Sequence, residues 1–150
     1  MRSRIIGLGQ AAAGDDGVGL AVLEWLQEHG VPEGVELVRA AEDSALIPLL
    51  ETPAAVVLVD AVLGTPSGEI RELTAEQLAT AALLPLSTHG MGVPQALQLA
   101  QILAPDAVSR SIRIVAVTIA RPLRYEQQLS HAVAAAVPRA AARVLALVGG

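Results

Sequence analysis

Four aliphatic stretches, Arg4–Leu8, Val35–Arg39, Ala55–Val59 and Ile112–Ile119, are each bounded by turn or breaker residues. A stretch such as Val56-Val57-Leu58-Val59 is apolar on both faces, so as a strand it must be covered on both. A parallel sheet between two layers of helices meets that condition. The segments between the stretches read as helices. Gly17–His29 follows Asp15-Asp16 and ends at Gly30, with Pro32 just beyond, which is helix punctuation. Ser44–Leu50 is a shorter candidate that carries Pro48. Pro94–Leu103 has proline in its first turn and apolar residues at Leu97, Leu99, Ala100 and Leu103. The last helix is expected to start with Ser130 as N-cap and to run through Val133, Val137, Val144 and Val148. Pro138 should kink or split it. Gly68–Leu73 reads as a short edge strand after the turn Gly64-Thr65-Pro66-Ser67. The expected fold is α/β: a single three-layer sandwich over residues 1–150, with a mostly parallel twisted sheet, helices on both faces and right-handed crossovers.

Composition narrows the chemistry. The 150 residues include ten basic and fifteen acidic side chains, a formal charge of −5, so the cation cluster that a phosphate backbone needs is missing. All ten basic residues are Arg, which removes a Walker lysine and Schiff-base chemistry. No cysteine is present, which removes thiol catalysis, disulfides and thiolate metal sites. One Trp, one Tyr and no Phe leave the core to Ala, Val, Leu and Ile, and leave no stacking platform for bases. No apolar run reaches the roughly 20 uninterrupted residues of a bilayer span, and the start lacks the pattern of a signal peptide. The expectation is a cytoplasmic domain without membrane span or nucleic-acid partner.

Ligands of open α/β sheets gather beyond the carboxyl ends of the strands, so the residues that follow each strand matter most. The first strand leads into Gly7-Leu8-Gly9-Gln10-Ala11-Ala12, a Gly-x-Gly-x-x-Ala version of the dinucleotide fingerprint, and Arg39 ends the next strand. A pyrophosphate, however, would meet Asp15 and Asp16 where it needs a helix N-terminus free of negative charge. For those two acids the plain reading is a cap and a dipole partner; capping needs one of them, and Asp15 is the expected cap. Asp60 closes a run of buried-type residues and must be paired, functional, or a turn or cap residue. His89 lies between Ser87-Thr88 and Gly90-Met91-Gly92, where glycines permit close backbone approach or simply a turn. His29 reads as a dipole-compensating surface residue, and His131 has no chemical companion nearby. Asp16, Asp60 and His89 are expected at one sheet edge. Two carboxylates and one imidazole make an open site for a borderline divalent metal. Without metal, the two acids could share a proton and activate water.

With these residues in place, the chain resembles the hydrogenase maturation endopeptidases, which trim the C-terminal tail of the nickel–iron hydrogenase large subunit. The likeness rests on Gly7-Leu8-Gly9 through Gly14-Asp15-Asp16-Gly17-Val18-Gly19, on Val59-Asp60-Ala61 and on Ser87-Thr88-His89-Gly90-Met91-Gly92, in that order and spacing, and covers essentially the whole chain. The resemblance implies that Asp16, Asp60 and His89 are both the catalytic and the metal-contacting residues of an aspartyl-type endopeptidase. It implies no permanently bound cofactor, nickel being supplied by the substrate, although another divalent ion could occupy the site in vitro. The implied partner is a hydrogenase large-subunit precursor. Attack through a nickel-polarised carbonyl, a metal-bound water or a carboxylate-activated water all fit this residue set. Two positions depart from the family pattern: Gln10 replaces the common Asn, and Ala40-Ala41-Glu42-Asp43-Ser44 replaces an Asp-Gly-Gly-Thr-like turn. Two other readings are a Rossmann-like nucleotide module and a catalytically silent docking factor for hydrogenase assembly.

Overall fold

The computed structural model describes residues 2–9, 14–42, 45–77, 93–120 and 128–149, without the side chains of residues 16 and 149. The elements follow as β1 (Ser3–Leu8), a 3₁₀ turn (Gly14–Gly17), α1 (Val18–His29), β2 (Val35–Ala40) and α2 (Leu46–Leu49). Then come β3 (Ala55–Leu63), β4 (Ile70–Thr74), α3 (Val93–Leu103), β5 (Ile112–Ile119) and α4 (His131–Gly149). One sheet has the order β2-β1-β3-β5-β4, parallel throughout except for β4, which pairs antiparallel with β5 at the edge.

The apolar strands are covered on both faces, as their sequences require. In β3, Val57, Val59 and Ala61 face one core together with Val115, Val117 and Ile119 of β5, and α1 and α4 cover this side. Val56 and Leu58 face the other core with Ile6, Leu8, Ile112 and Ile114, under α2 and α3. Ile5, Ile6, Leu8, Leu26, Leu58 and Leu97 are among the fully buried side chains. Each such burial contributes about 1.5–3 kcal/mol, and aliphatic packing supplies what aromatic residues supply elsewhere.

Three expected boundaries shift for physical reasons. β3 does not stop at Val59 but continues through Asp60 to Leu63, because β5 runs beside it from Val56↔Ile112 to Leu63↔Ile119. The edge strand sits at Ile70–Thr74 rather than Gly68–Leu73. Gly68 instead takes φ +87°, and a Cβ there would lie 2.6 Å from the carbonyl oxygen of Ala132, so this turn sits against the start of α4. Arg139 donates to the Gly68 carbonyl at 3.1 Å, and Arg143 pairs with Glu72 of β4. The helix Ser44–Leu50 contracts to Leu46–Leu49, where Pro48 is tolerated because it falls in the first turn.

Pro138 does not split the last helix. α4 runs without interruption from His131 to Gly149. Proline removes the hydrogen bond to the carbonyl four residues back, and both Ala134 and Pro138 are exposed, so water can take the freed carbonyl. By length and composition His131–Val148 could cross a bilayer, contrary to expectation. Its stripe Val133, Ala136, Val137, Ala140, Ala141 and Val144 is buried in the core, however, so here it serves as a core helix.

Pro138→Ala restores that hydrogen bond at an exposed site. It should stabilise the fold by about 1–3 kcal/mol, raising the thermal midpoint by roughly 2–4 °C per kcal/mol when followed by circular dichroism. An unchanged or lowered midpoint would mean that the proline fits a local backbone shape that alanine does not keep.

Candidate active site

The sheet order places a topological switch between β1 and β3. From β1 the chain crosses by α1 to β2 on one side; from β2 it crosses by α2 to β3 on the other. A crevice opens at the carboxyl end between two strands whose connections diverge in this way. Pairing of β1 with β3 ends at Gly7↔Val59, and the next residue of β3 is Asp60. Beyond that point β3 is paired on the β5 side, with Asp60 opposite Ala116.

Asp60 is 4% exposed. Strand alternation puts it on the face of Val56 and Leu58, toward α2 and α3, and its Oδ1 accepts the Ala61 N–H at 2.8 Å. A carboxylate removed from water in this way costs several kcal/mol unless hydrogen bonds or charges compensate. A turn or N-cap role is excluded, since the residue lies inside a strand. On the same face the chain re-enters the described region at Val93, the start of α3, which packs with Leu58. His89 precedes it in sequence and lies outside the described residues.

The 3₁₀ turn Gly14–Gly17 carries the backbone of Asp16 and packs against β3. Two glycines make this possible. A Cβ on Gly19 would lie 2.4 Å from the carbonyl oxygens of both Leu8 and Val59, and one on Gly7 would lie 2.7 Å from the Gly19 carbonyl oxygen. The first turn of α1 is therefore pressed onto the carboxyl ends of β1 and β3, one residue short of Asp60. Sequence reasoning missed this role for Gly19. Its signal was a glycine inside the first helical turn, where helix propensity argues against one.

Asp15 was expected to cap α1 and does not. Gly17 holds that position and makes no side-chain cap hydrogen bond. Asp15 instead reaches a different helix: its Oδ1 accepts the N–H of Ser130 at 2.6 Å, immediately before α4. The negative charge still meets a helix N-terminus, but across 115 residues of sequence. His29 stacks on Trp25 with ring centroids 3.7 Å apart, and its Nδ1 lies 2.9 Å from the Trp25 carbonyl oxygen. It is a surface residue at a helix end, as read from sequence. Among the described residues no three His, Asp or Glu side chains gather closely enough to hold a metal ion; the side chain of Asp16 and all of His89 are not among those residues.

Two contacts bear on the nucleotide fingerprint. The Gly9 N–H, within the fingerprint, donates to the Ala40 carbonyl at 3.1 Å and so is already used inside the protein. Arg39 pairs with Glu24 at 3.8 Å.

The family model for hydrogenase maturation proteases matches residues 20–147. The chain belongs to that family. It is accordingly a hydrolase of hydrogenase maturation, a reaction in which the C-terminal peptide of the large-subunit precursor is cleaved, and neither the nucleotide module nor the silent docking factor is favoured. Solved structures agree in fold. The [NiFe] hydrogenase maturation protease HybD from Thermococcus kodakarensis is 24% identical with a TM-score of 0.79, covering 99% of both chains. The maturating endopeptidase HybD from E. coli is 21% identical with a TM-score of 0.80, covering 99% of this chain and 92% of its own. The hydrogenase 2 maturation peptidase from Thaumarchaeota archaeon SCGC_AB-539-E09 is 25% identical with a TM-score of 0.70, covering 99% of both. No curated protein matches the sequence significantly.

Gly19→Ala tests how this protease builds its site edge. The atoms it would meet are backbone, not flexible side-chain ends, so the change should cost about 3 kcal/mol in urea unfolding. Gly30→Ala is the control: φ is +92°, with nothing within 4 Å. Its ψ of 152° places it in a region that only glycine adopts readily, so the variant carries a backbone penalty of about 1–3 kcal/mol without a steric clash. A loss below about 1 kcal/mol for Gly19→Ala would show that the close approach there is not a packing constraint.

Proposed function

We propose that the protein removes the C-terminal tail of a nickel-loaded hydrogenase large-subunit precursor, with Asp16, Asp60 and His89 as the residues that contact the metal and carry the chemistry. The observation that supports the reading most directly is Asp60: a carboxylate buried within a strand, next to the last β1–β3 pair at the switch point. A residue that served folding alone would gain from being apolar there, as its neighbours Val59 and Ala61 are. The turn that bears Asp16 is carried to the same edge by Gly19, and α3, which follows the His89 segment in sequence, covers the Asp60 face.

Two carboxylate oxygens and one imidazole nitrogen suit a borderline divalent ion and leave positions for its other ligands. Nickel enters as part of the substrate, so metal contact doubles as a check that the large subunit is loaded. An aspartyl-type role follows from the same groups. A carboxylate near the scissile bond can take the proton of an attacking water, and the leaving amine must receive one. No resident cofactor is required by this scheme. The protein acts as a single domain in the cytoplasm, in keeping with its cysteine-free composition. Its substrate is a large-subunit precursor rather than a nucleic acid, in keeping with its net charge of −5.

The test uses precursor with and without nickel, incubated with wild type, Asp16→Asn, Asp60→Asn or His89→Ala, and read by intact mass. Wild type should release a C-terminal peptide from loaded precursor only. Each variant, folded by circular dichroism, should be slowed at least about 10²-fold, the lower end of what a positioned acid–base group contributes. Equal cleavage of nickel-free precursor would remove the recognition role of the metal. Full activity of Asp60→Asn would remove Asp60 from the site.

A further inference from the structure

The sequence carries two adjacent acids at the site edge, and the structure gives one of them a task elsewhere. Asp15 does not cap its own helix: Gly17 is the N-cap of α1 and makes no side-chain cap bond. Its carboxylate instead accepts the Ser130 N–H at 2.6 Å, a short contact for an N–H donor and a charged acceptor. Ser130 directly precedes α4, and its own carbonyl accepts the Ala134 N–H at 2.8 Å, so the bonded amide belongs to the start of a 19-residue helix. That helix is immobilised along its length. Its apolar stripe is in the core, Arg139 holds the Gly68 carbonyl, Arg143 pairs with Glu72, and Ala132 touches the turn at Gly68. The turn Gly14–Gly17 is thus fixed at two points: by backbone contact through Gly19 to β1 and β3, and by Asp15 to α4.

We infer that Asp15 is a positioning residue for the peptidase reaction, tying the turn that bears Asp16 to the N-terminus of α4. The inference rests on the proposed role of Asp16. The turn is four residues long and starts at Gly14, with φ +60°, and among the described residues the Asp15–Ser130 hydrogen bond links it to the start of α4. Misplacement of a reacting group by about 1 Å can cost 10²-fold in rate, so the loss should fall on kcat. Substrate docking, which involves far more surface than one turn, should be nearly unaffected.

The test compares Asp15→Ala, Asp15→Asn, Ser130→Pro and Asp16→Asn with wild type in the full chain, on nickel-loaded precursor, at a temperature where circular dichroism shows each to be folded. Asp15→Ala should lower kcat about 10–100-fold with KM within twofold. Asp15→Asn keeps an oxygen acceptor and should recover most of the rate. Ser130→Pro removes the donor while leaving Asp15 in place, should match Asp15→Ala, and keeps the test open if the alanine variant does not fold. Combining the two should add little further loss. Wild-type kcat in either tie-breaking variant overturns the inference, as does a change confined to KM or to thermal stability. A fully active Asp16→Asn would instead overturn the site reading itself. An inactive Asp16→Asn beside a normal Asp15→Ala would overturn the positioning role alone.

Discussion

Backbone meets backbone where α1 begins, and the placement of the site edge follows from that contact. Gly19 sits against the carbonyls of Leu8 and Val59 with no room for a side chain. The approach brings a helix N-terminus and its preceding turn down onto the sheet at the switch between β1 and β3. It also spans the two strands whose pairing ends there, so the turn is referenced to both β1 and β3. A larger residue would lift the start of the helix away from the ends of both strands. Close approach of this kind is decided by sterics over a few tenths of an ångström, which is why one residue type can govern it.

Charge is then distributed over that edge in two different ways. Asp15 spends its carboxylate on the amide of Ser130, at the N-terminus of α4, where a negative charge is favoured. Asp60 is buried in a strand whose neighbouring side chains are aliphatic, with the Ala61 amide among its hydrogen-bond donors. The first acid serves a structural purpose by linking distant segments. The second occupies a place where folding alone would favour valine. That difference in environment separates a support from the acid proposed to react more sharply than proximity in sequence does.

Much of the fold could be read from the residues. The aliphatic stretches required coverage on both faces, and β5 appears at Ile112–Ile119 as expected, with β1, β2, α1 and α3 within one residue of their expected ends. The main departures depend on surroundings that sequence does not name. β3 outruns its apolar stretch because β5 offers partners past Asp60. α4 stays whole through Pro138 because the carbonyl it frees is on the exposed side. Of the site, Asp60 was legible as an acid after a buried run, whereas its place inside the strand was not. Asp15 was legible as a helix-terminal acid, but the helix was the wrong one, because a partner 115 residues away leaves no mark in local spacing.

By itself the sequence determined the layered α/β class, the aliphatic core, the exclusion of thiol and lysine chemistry and the identity of the candidate residues, because these depend on side-chain chemistry and on periods of two and 3.6 residues. Tertiary structure alone decided which helix Asp15 serves, where β3 ends and why Gly19 must be glycine. Each of those depends on atoms brought within a few ångströms by the whole packed sheet, and no local pattern carries that distance.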